Sequence, residues 1–338
     1  MVVDLPLTLT YNVMHATAVQ QGAVMQDANI LDPQKYVLWQ PPADYEIHVG
    51  PEQVGVRLPQ VPLPIHIADM PQDGSVPSDH AIGTGVSDYL REFPECPHNV
   101  IYAELLRDGY AHYLADLGAQ VVMLDSKDVE PAYIARKLTY LKIFRLLEPR
   151  NTGLLWQLCR GYYDLGLTFT ELPRVRHHLL AAMRFGQDLL RIEAQHQGAL
   201  NLMAEIDILF GDYPSAQQRL RTLRDLVGQG PAAAAVEGRL RNCIETGFPD
   251  HPLVDDLERI AEAMQLSASG NYQQATEILE RLEIDDYFCS ELKSADFLCL
   301  LGLCRLRSGD RAGAFDALSQ ALEADPENKQ AREALENF

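Results

Sequence analysis

FLCLLGLCRLRSGDRAGAFDALSQALEADPEN, residues 297–328, holds two apolar runs joined by Gly309 and Asp310. Apolar residues recur at three- and four-residue spacing on both sides of that pair, the mark of two amphipathic helices. Gly309 ends the first helix, since a left-handed backbone costs other residues roughly 1 kcal/mol or more. Asp310 then caps the second. Gly302 stands seven residues before the turn glycine and Ala314 five after it. Two small residues at the crossing let antiparallel helices lie close together. Cys299 and Cys304, five apart on one helix, diverge by roughly 140°. With Cys289 they form C-x9-C-x4-C, which matches no zinc pattern, so all three read as packing residues.

The same turn recurs twice. ALNLMAEIDILFGDYPSAQQRLRTL (199–223) carries Gly211, Asp212 and Ala216, with Ala204 facing them; LERIAEAMQLSASGNYQQATEILERL (257–282) carries Gly270, Asn271 and Ala275, with Ala263. This pattern resembles the tetratricopeptide repeat (TPR) family over residues 99–338. It does so most clearly at 295–328, where Gly302, Gly309, Ala314, Ala321 and Pro326 fall at the family's spacing. The resemblance implies stacked helical hairpins that present a surface to other proteins. GLLWQLCRGYYDLG (153–166), with Trp156 and Gly166, reads as an earlier first helix, followed by a long second helix from about Pro173 to His196.

The array departs from its family. Gly166, Gly211, Gly270 and Gly309 are spaced 45, 59 and 39 residues apart, against a family period of about 34. PAAAAVEGRLRNCIETG (231–247) reads as an inserted helical segment. A second resemblance, to the helical-hairpin repeats of protein prenyltransferase alpha subunits, rests on the run from Asn151 to Trp156 within residues 131–166. It too implies a non-catalytic solenoid.

Toward the N-terminus the helical period persists through PAYIARKLTYLKIFRLLEP (131–149) and NVIYAELLRDGYAHYLADLG (99–118). Twelve of the twenty prolines lie before residue 99, which sets a boundary near 98 between a Pro-rich, acidic region and a helical repeat domain. YEIHVG (45–50), VGVRL (54–58) and PIHIAD (64–69) alternate with period two, as short strands do. Pro59, Pro62 and Pro64 confine their stretch to edge strands or extended chain. PQDGSVPSDHAIGTGV (71–86) reads as loop. The fold expected is mainly α: an irregular TPR-like α-solenoid with short β-strands in its N-terminal region.

Composition bounds the function. Of 338 residues, 47% are hydrophobic and 22% charged, as in a folded domain, and the formal charge is -20. That field repels polyanions, so neither nucleic acid nor anionic lipid is an expected partner. MVVDLPLTLTYNVMHATAVQQGAVMQDANIL lacks a basic n-region and an apolar h-region, and no 18 consecutive apolar residues occur. Six cysteines without a C-x-x-C pair fit a reducing compartment. A cytoplasmic location is expected.

Candidate chemistry is sparse. His48 and His66 fall on strand-like segments and His80 in a loop, with Asp69 or Asp79 available to complete a metal or catalytic site. Neither H-x-H nor H-E-x-x-H spacing supports them. Arg174, Arg176, His177, Arg184 and Arg191 form a basic stripe on one helix, either a solvated face making ion pairs or a recognition patch for an acidic peptide. GTGV (83–86) is neither a Walker loop nor a Rossmann fingerprint, and no G-x-S-x-G elbow appears. TPR proteins that clamp a terminal carboxylate use Lys and Asn along their first helices; here Asn201 is a lone instance, so that clamp is not expected. No cofactor or catalytic residue is expected. The reading is a non-catalytic scaffold, adaptor or assembly factor that binds another protein or peptide. The alternative is an enzyme or accessory subunit with its site among the N-terminal His and Asp residues.

Overall fold

A computed structural model describes residues 35–49, 54–125, 130–245 and 251–338. The stretch read for a leader signal lies outside them, as do Gly50 and the last residues of the inserted segment. Fifteen α-helices and four short strands are described, a mainly α fold as expected. Contacts divide the chain into two compact units, one ending at Leu158 and the other running from Cys159 to Phe338.

In the first unit β1 (Tyr36–Trp39) pairs antiparallel with β4 (Leu63–His66), placing Val37 opposite Ile65. β2 (Glu46–Val49) pairs antiparallel with β3 (Val54–Arg57). Among the described residues each strand has one partner, so all four are edge strands, the setting that tolerates Pro64 inside β4. Residues 79–86, expected as loop, are instead the first part of a 14-residue helix, α1 (Asp79–Glu92). The Ser78 hydroxyl accepts from the Ala81 amide at 3.2 Å and caps it. Ile82, Val86 and Leu90 then bury one face, and α1 lies against β4. One of its glycines serves that contact: a Cβ at Gly85 would sit 2.3 Å from the Pro64 carbonyl oxygen, whereas one at Gly83 would meet the Tyr110 ring.

α2 (Asn99–Gly109), α3 (Ala111–Asp125) and α4 (Pro131–Leu147) complete the core, joining Leu106, Leu117 and Ile143 to Ile47, Leu63 and Ile65. The composition change near residue 98 falls between α1 and α2. The Tyr102 hydroxyl reaches across it to donate to the Pro62 carbonyl at 2.5 Å. α5 (Thr152–Gly166) contains the division between the units. Asn151 accepts from the Leu154 amide at 3.1 Å, an N-cap that accounts for this Asn. Nothing supports the prenyltransferase resemblance.

The second unit is a succession of helical hairpins. A 3-10 turn (Phe169–Arg174) leads into α6 (Val175–Ile192), so the long helix begins two residues after Pro173. There follow α7 (Gln197–Leu209), α8 (Tyr213–Val227), α9 (Pro231–Glu245), α10 (Leu253–Ala268) and α11 (Tyr272–Glu283). α12 (Asp286–Glu291), α13 (Ala295–Ser308), α14 (Arg311–Ala324) and α15 (Lys329–Glu336) close the chain. The pairs α7/α8, α10/α11 and α13/α14 share one turn: Gly211, Gly270 and Gly309 have φ of 74°, 84° and 96°.

Ala204, Ala216, Ala263, Ala275 and Ala314 are fully buried at the crossings. A Cβ at Gly302 would approach Leu318 Cγ to 2.7 Å, so α13 and α14 do pack through their small residues. Asp212 and Asp310 cap their helices, accepting from Ser215 N at 3.2 Å and Gly313 N at 3.0 Å. Asn271 does not cap α11; its side-chain amide donates to Ser269 Oγ at 3.2 Å. Cys299 and Cys304 are buried and unbridged, and burial pushes the Cys299 thiol up to about 12. Among the described residues no helix is long and apolar enough to cross a membrane.

Candidate functional site

α6 is amphipathic. Val175, His178, Leu179, Ala182, Phe185, Gly186 and Leu189, at helical spacing, bury its inner face. That arrangement leaves His177, Leu180, Arg184, Gln187 and Arg191 on the outside, all exposed, with Leu180 half exposed at 50%; Arg174, also exposed, ends the 3-10 turn before the helix. Three of the five basic residues singled out in the sequence therefore share one face of α6, and Arg174 stands just before it.

Arg176 is the exception. Its guanidinium forks onto Glu258, Nε to Oε1 at 2.7 Å and Nη2 to Oε2 at 2.9 Å, and Nη2 also donates to Asp255 Oδ1 at 2.7 Å. Bidentate charge-assisted bonds of this kind fix geometry as well as adding energy. They tie α6 to α10 and hold the Glu258 carboxyl below its usual range. Arg176 is an internal staple. On the outer face Arg191 meets Asp188 one turn back at 2.7 Å, and the Arg184 guanidinium lies 4.8 Å from the centre of the Phe185 ring. His178 is buried, with Nε2 3.3 Å from Glu171 Oε2.

The N-terminal histidines are not brought together. His48 stands on β2 opposite Gly55, in one two-stranded sheet; His66 ends β4, in the other. The acid beside His66 is neither Asp69 nor Asp79 but Asp88 of α1, whose Oδ2 is 3.0 Å from Nε2. The His66 ring also lies 4.6 Å from that of Tyr36. Asp69 is exposed in the 3-10 turn Ile67–Asp69, and His80 is exposed in the first turn of α1. Among the described residues no three His, Cys, Asp or Glu side chains converge to hold a metal ion.

A polar cluster that sequence reasoning did not find surrounds Glu205 on α7. Asn201, one turn earlier, donates to Glu205 Oε1 at 2.9 Å, and its own oxygen accepts from Arg239 Nη1 of α9 at 2.5 Å. That Nη1 lies 3.3 Å from Glu205 Oε1, and the Tyr163 hydroxyl donates to the same carboxylate. Burial pushes the Glu205 carboxyl up, while Arg239, Tyr163 and Asn201 pull it back. Asn201 is thus engaged within the protein. The only sequence signal was its place at helical spacing from Glu205.

No family model matches the chain, and no curated protein matches it. Among solved structures it is similar to a tetratricopeptide repeat protein from Parabacteroides merdae, at 16% identity over 66% of this chain and 97% of that one, with a TM-score of 0.26. A likeness at that level carries no functional argument. The repeat reading stands on the hairpins themselves, with their recurring turn and small-residue crossings.

Proposed function

We propose that this chain is a non-catalytic scaffold or assembly factor that binds an acidic segment of another protein along the outer face of α6. One observation carries the reading. Exposed Arg174, just before α6, and exposed His177, Arg184 and Arg191 along it accompany a half-exposed Leu180 in a chain of net charge -20. An acidic amphipathic segment supplies the complementary charge and covers Leu180. Six unbridged thiols, four of them buried, suit the reducing cytoplasm in which we place this activity. The N-terminal enzyme reading lacks comparable support, since His48 and His66 stand in separate sheets.

The test is a comparison of retained partners. Immobilised protein carrying Arg174→Glu and Arg184→Glu is expected to retain at least about tenfold less of the partner held by the unaltered protein. Its melting temperature should be unchanged, and retention by the unaltered protein should fall with added salt. Arg176 is unsuitable for this purpose because its loss would free two carboxylates between α6 and α10. Equal retention by the folded double variant would remove the reading.

A further inference from the structure

We propose that α9 occupies, in cis, a groove on α7, α8 and α12 that takes an arginine-anchored helix of a partner protein. α9 meets its surroundings as a docked helical peptide does: Val236, Leu240 and Cys243 are buried at i, i+4 and i+7, while Glu237, Arg241, Asn242 and Ile244 are exposed. Arg239 enters between the apolar anchors. Its socket is Glu205 with Asn201 on α7, joined by Glu291 on α12, whose carboxyl burial raises and Arg239 lowers. The Nη2 of Arg239 is buried and has no hydrogen-bond partner among the described residues. Two further contacts seat the helix on α8: Gln217 donates to the Cys243 carbonyl at 2.9 Å, and Arg224 lies 3.7 Å from Glu237.

The helix that fills this groove has a weak point after its alanine run, Ala232 to Ala235. Gly238 lies in its middle, and a Cβ there would meet nothing within 4 Å, so no packing constraint requires a glycine. An interior Gly disfavours helix roughly fivefold relative to Ala. The link from α8 carries two further glycines, Gly228 at φ 69° and Gly230 at φ 130°, each likewise in open space. A glutamate-lined socket, an apolar i, i+4, i+7 stripe and a weakened resident helix together define the competing ligand. It is a basic amphipathic helix with Arg at i+3, drawn in by the acidic field of the whole chain.

The probe is a fluorescein-labelled peptide of residues 230–245, with anisotropy measured on the full chain under reducing conditions. The Arg239→Ala chain, whose own α9 has lost its anchor, is expected to bind the peptide at least about tenfold more tightly than the unaltered chain. A peptide that itself carries Arg239→Ala should not bind. Gly238→Ala in the chain strengthens the resident helix and should weaken peptide binding roughly fivefold. This second variant decides the matter should the first fail to fold. Equal affinity for the unaltered and Gly238→Ala chains, or no binding to the unaltered chain and every folded variant, overturns the proposal. The peptide reads the surface under α9 alone, so an inert α6 leaves the result interpretable.

Discussion

Gly85 in the first unit and Gly309 in the second show how differently the two parts are built. Gly309 answers a local demand: its φ of 96° turns the chain from α13 into α14, and Asp310 caps the helix that follows. Gly85 answers a demand from 21 residues back, where the Pro64 carbonyl of β4 presses on the α1 backbone. The second unit is assembled mainly from neighbours in sequence, hairpin by hairpin. The first closes by pairing β1 with β4 and covering that sheet with α1, contacts of longer range. Repeats therefore announce themselves residue by residue, whereas the strand-and-helix unit becomes intelligible only after it has folded.

Breaking the long-range contact should have the largest effect. Gly85→Val forces side-chain atoms against backbone, which cannot rotate away, and is expected to cost about 3 kcal/mol of stability by urea denaturation. A variant as stable as the parent would contradict the close approach of α1 to β4. The counterpart in the second unit is Gly302→Ala. Its new methyl meets the Leu318 side chain first, which can shift, so a smaller loss of about 2 kcal/mol is expected from the same measurement. Equal losses at the two sites would erase the distinction between rigid and yielding neighbours.

That distinction also explains what could be read in advance. The turn glycines and small crossing residues of α7/α8, α10/α11 and α13/α14 were readable because each acts within a few residues of its partner. The first half of α1 has loop composition, with Gly83 and Gly85 following Pro77 and Ser78, and the surface that needs Gly85 lies on another element. The Asp88 beside His66 is hidden from the sequence for the same reason, since it belongs to that helix. The basic stripe of α6 was visible, but not that Arg176 leaves it, since Asp255 and Glu258 lie 79 and 82 residues further on. Nor could any spacing rule join Tyr163, Glu205 and Arg239, three helices converging on one carboxylate.

A third test separates burial from helix signals. Asp296, in the first turn of α13, has its carboxyl pushed up to about 6, by burial first and then by Asp325. Its Oδ1 is 3.5 Å from the Asn328 amide nitrogen. In the unfolded chain the same group titrates near 4, so the folded state holds the proton more firmly. Stability from this group is therefore present below pH ~4 and lost as pH rises toward ~6. Asp296→Asn keeps an acceptor and removes the charge. It is expected to exceed the parent clearly at pH 7, with the advantage gone at pH 4. An advantage independent of pH would mean that the carboxylate is not held at a cost.

The smallest effect bears on whether the repeat turns are equivalent. Asp310 and Asn271 occupy the same place after the turn glycine, yet only Asp310 accepts from the third amide of its helix. Removing a working cap leaves that amide without its partner and costs about 1 kcal/mol. Removing Asn271 breaks only its contact with Ser269, on the exposed side of the turn. Asp310→Ala should therefore lower the unfolding free energy from urea denaturation clearly, and Asn271→Ala by no more than a few tenths of a kcal/mol. Equal losses would show that Asn271 caps α11 in solution, making the middle turn like the other two. Unequal losses would make α10/α11, which follows the inserted α9, the hairpin whose entry is least tightly held.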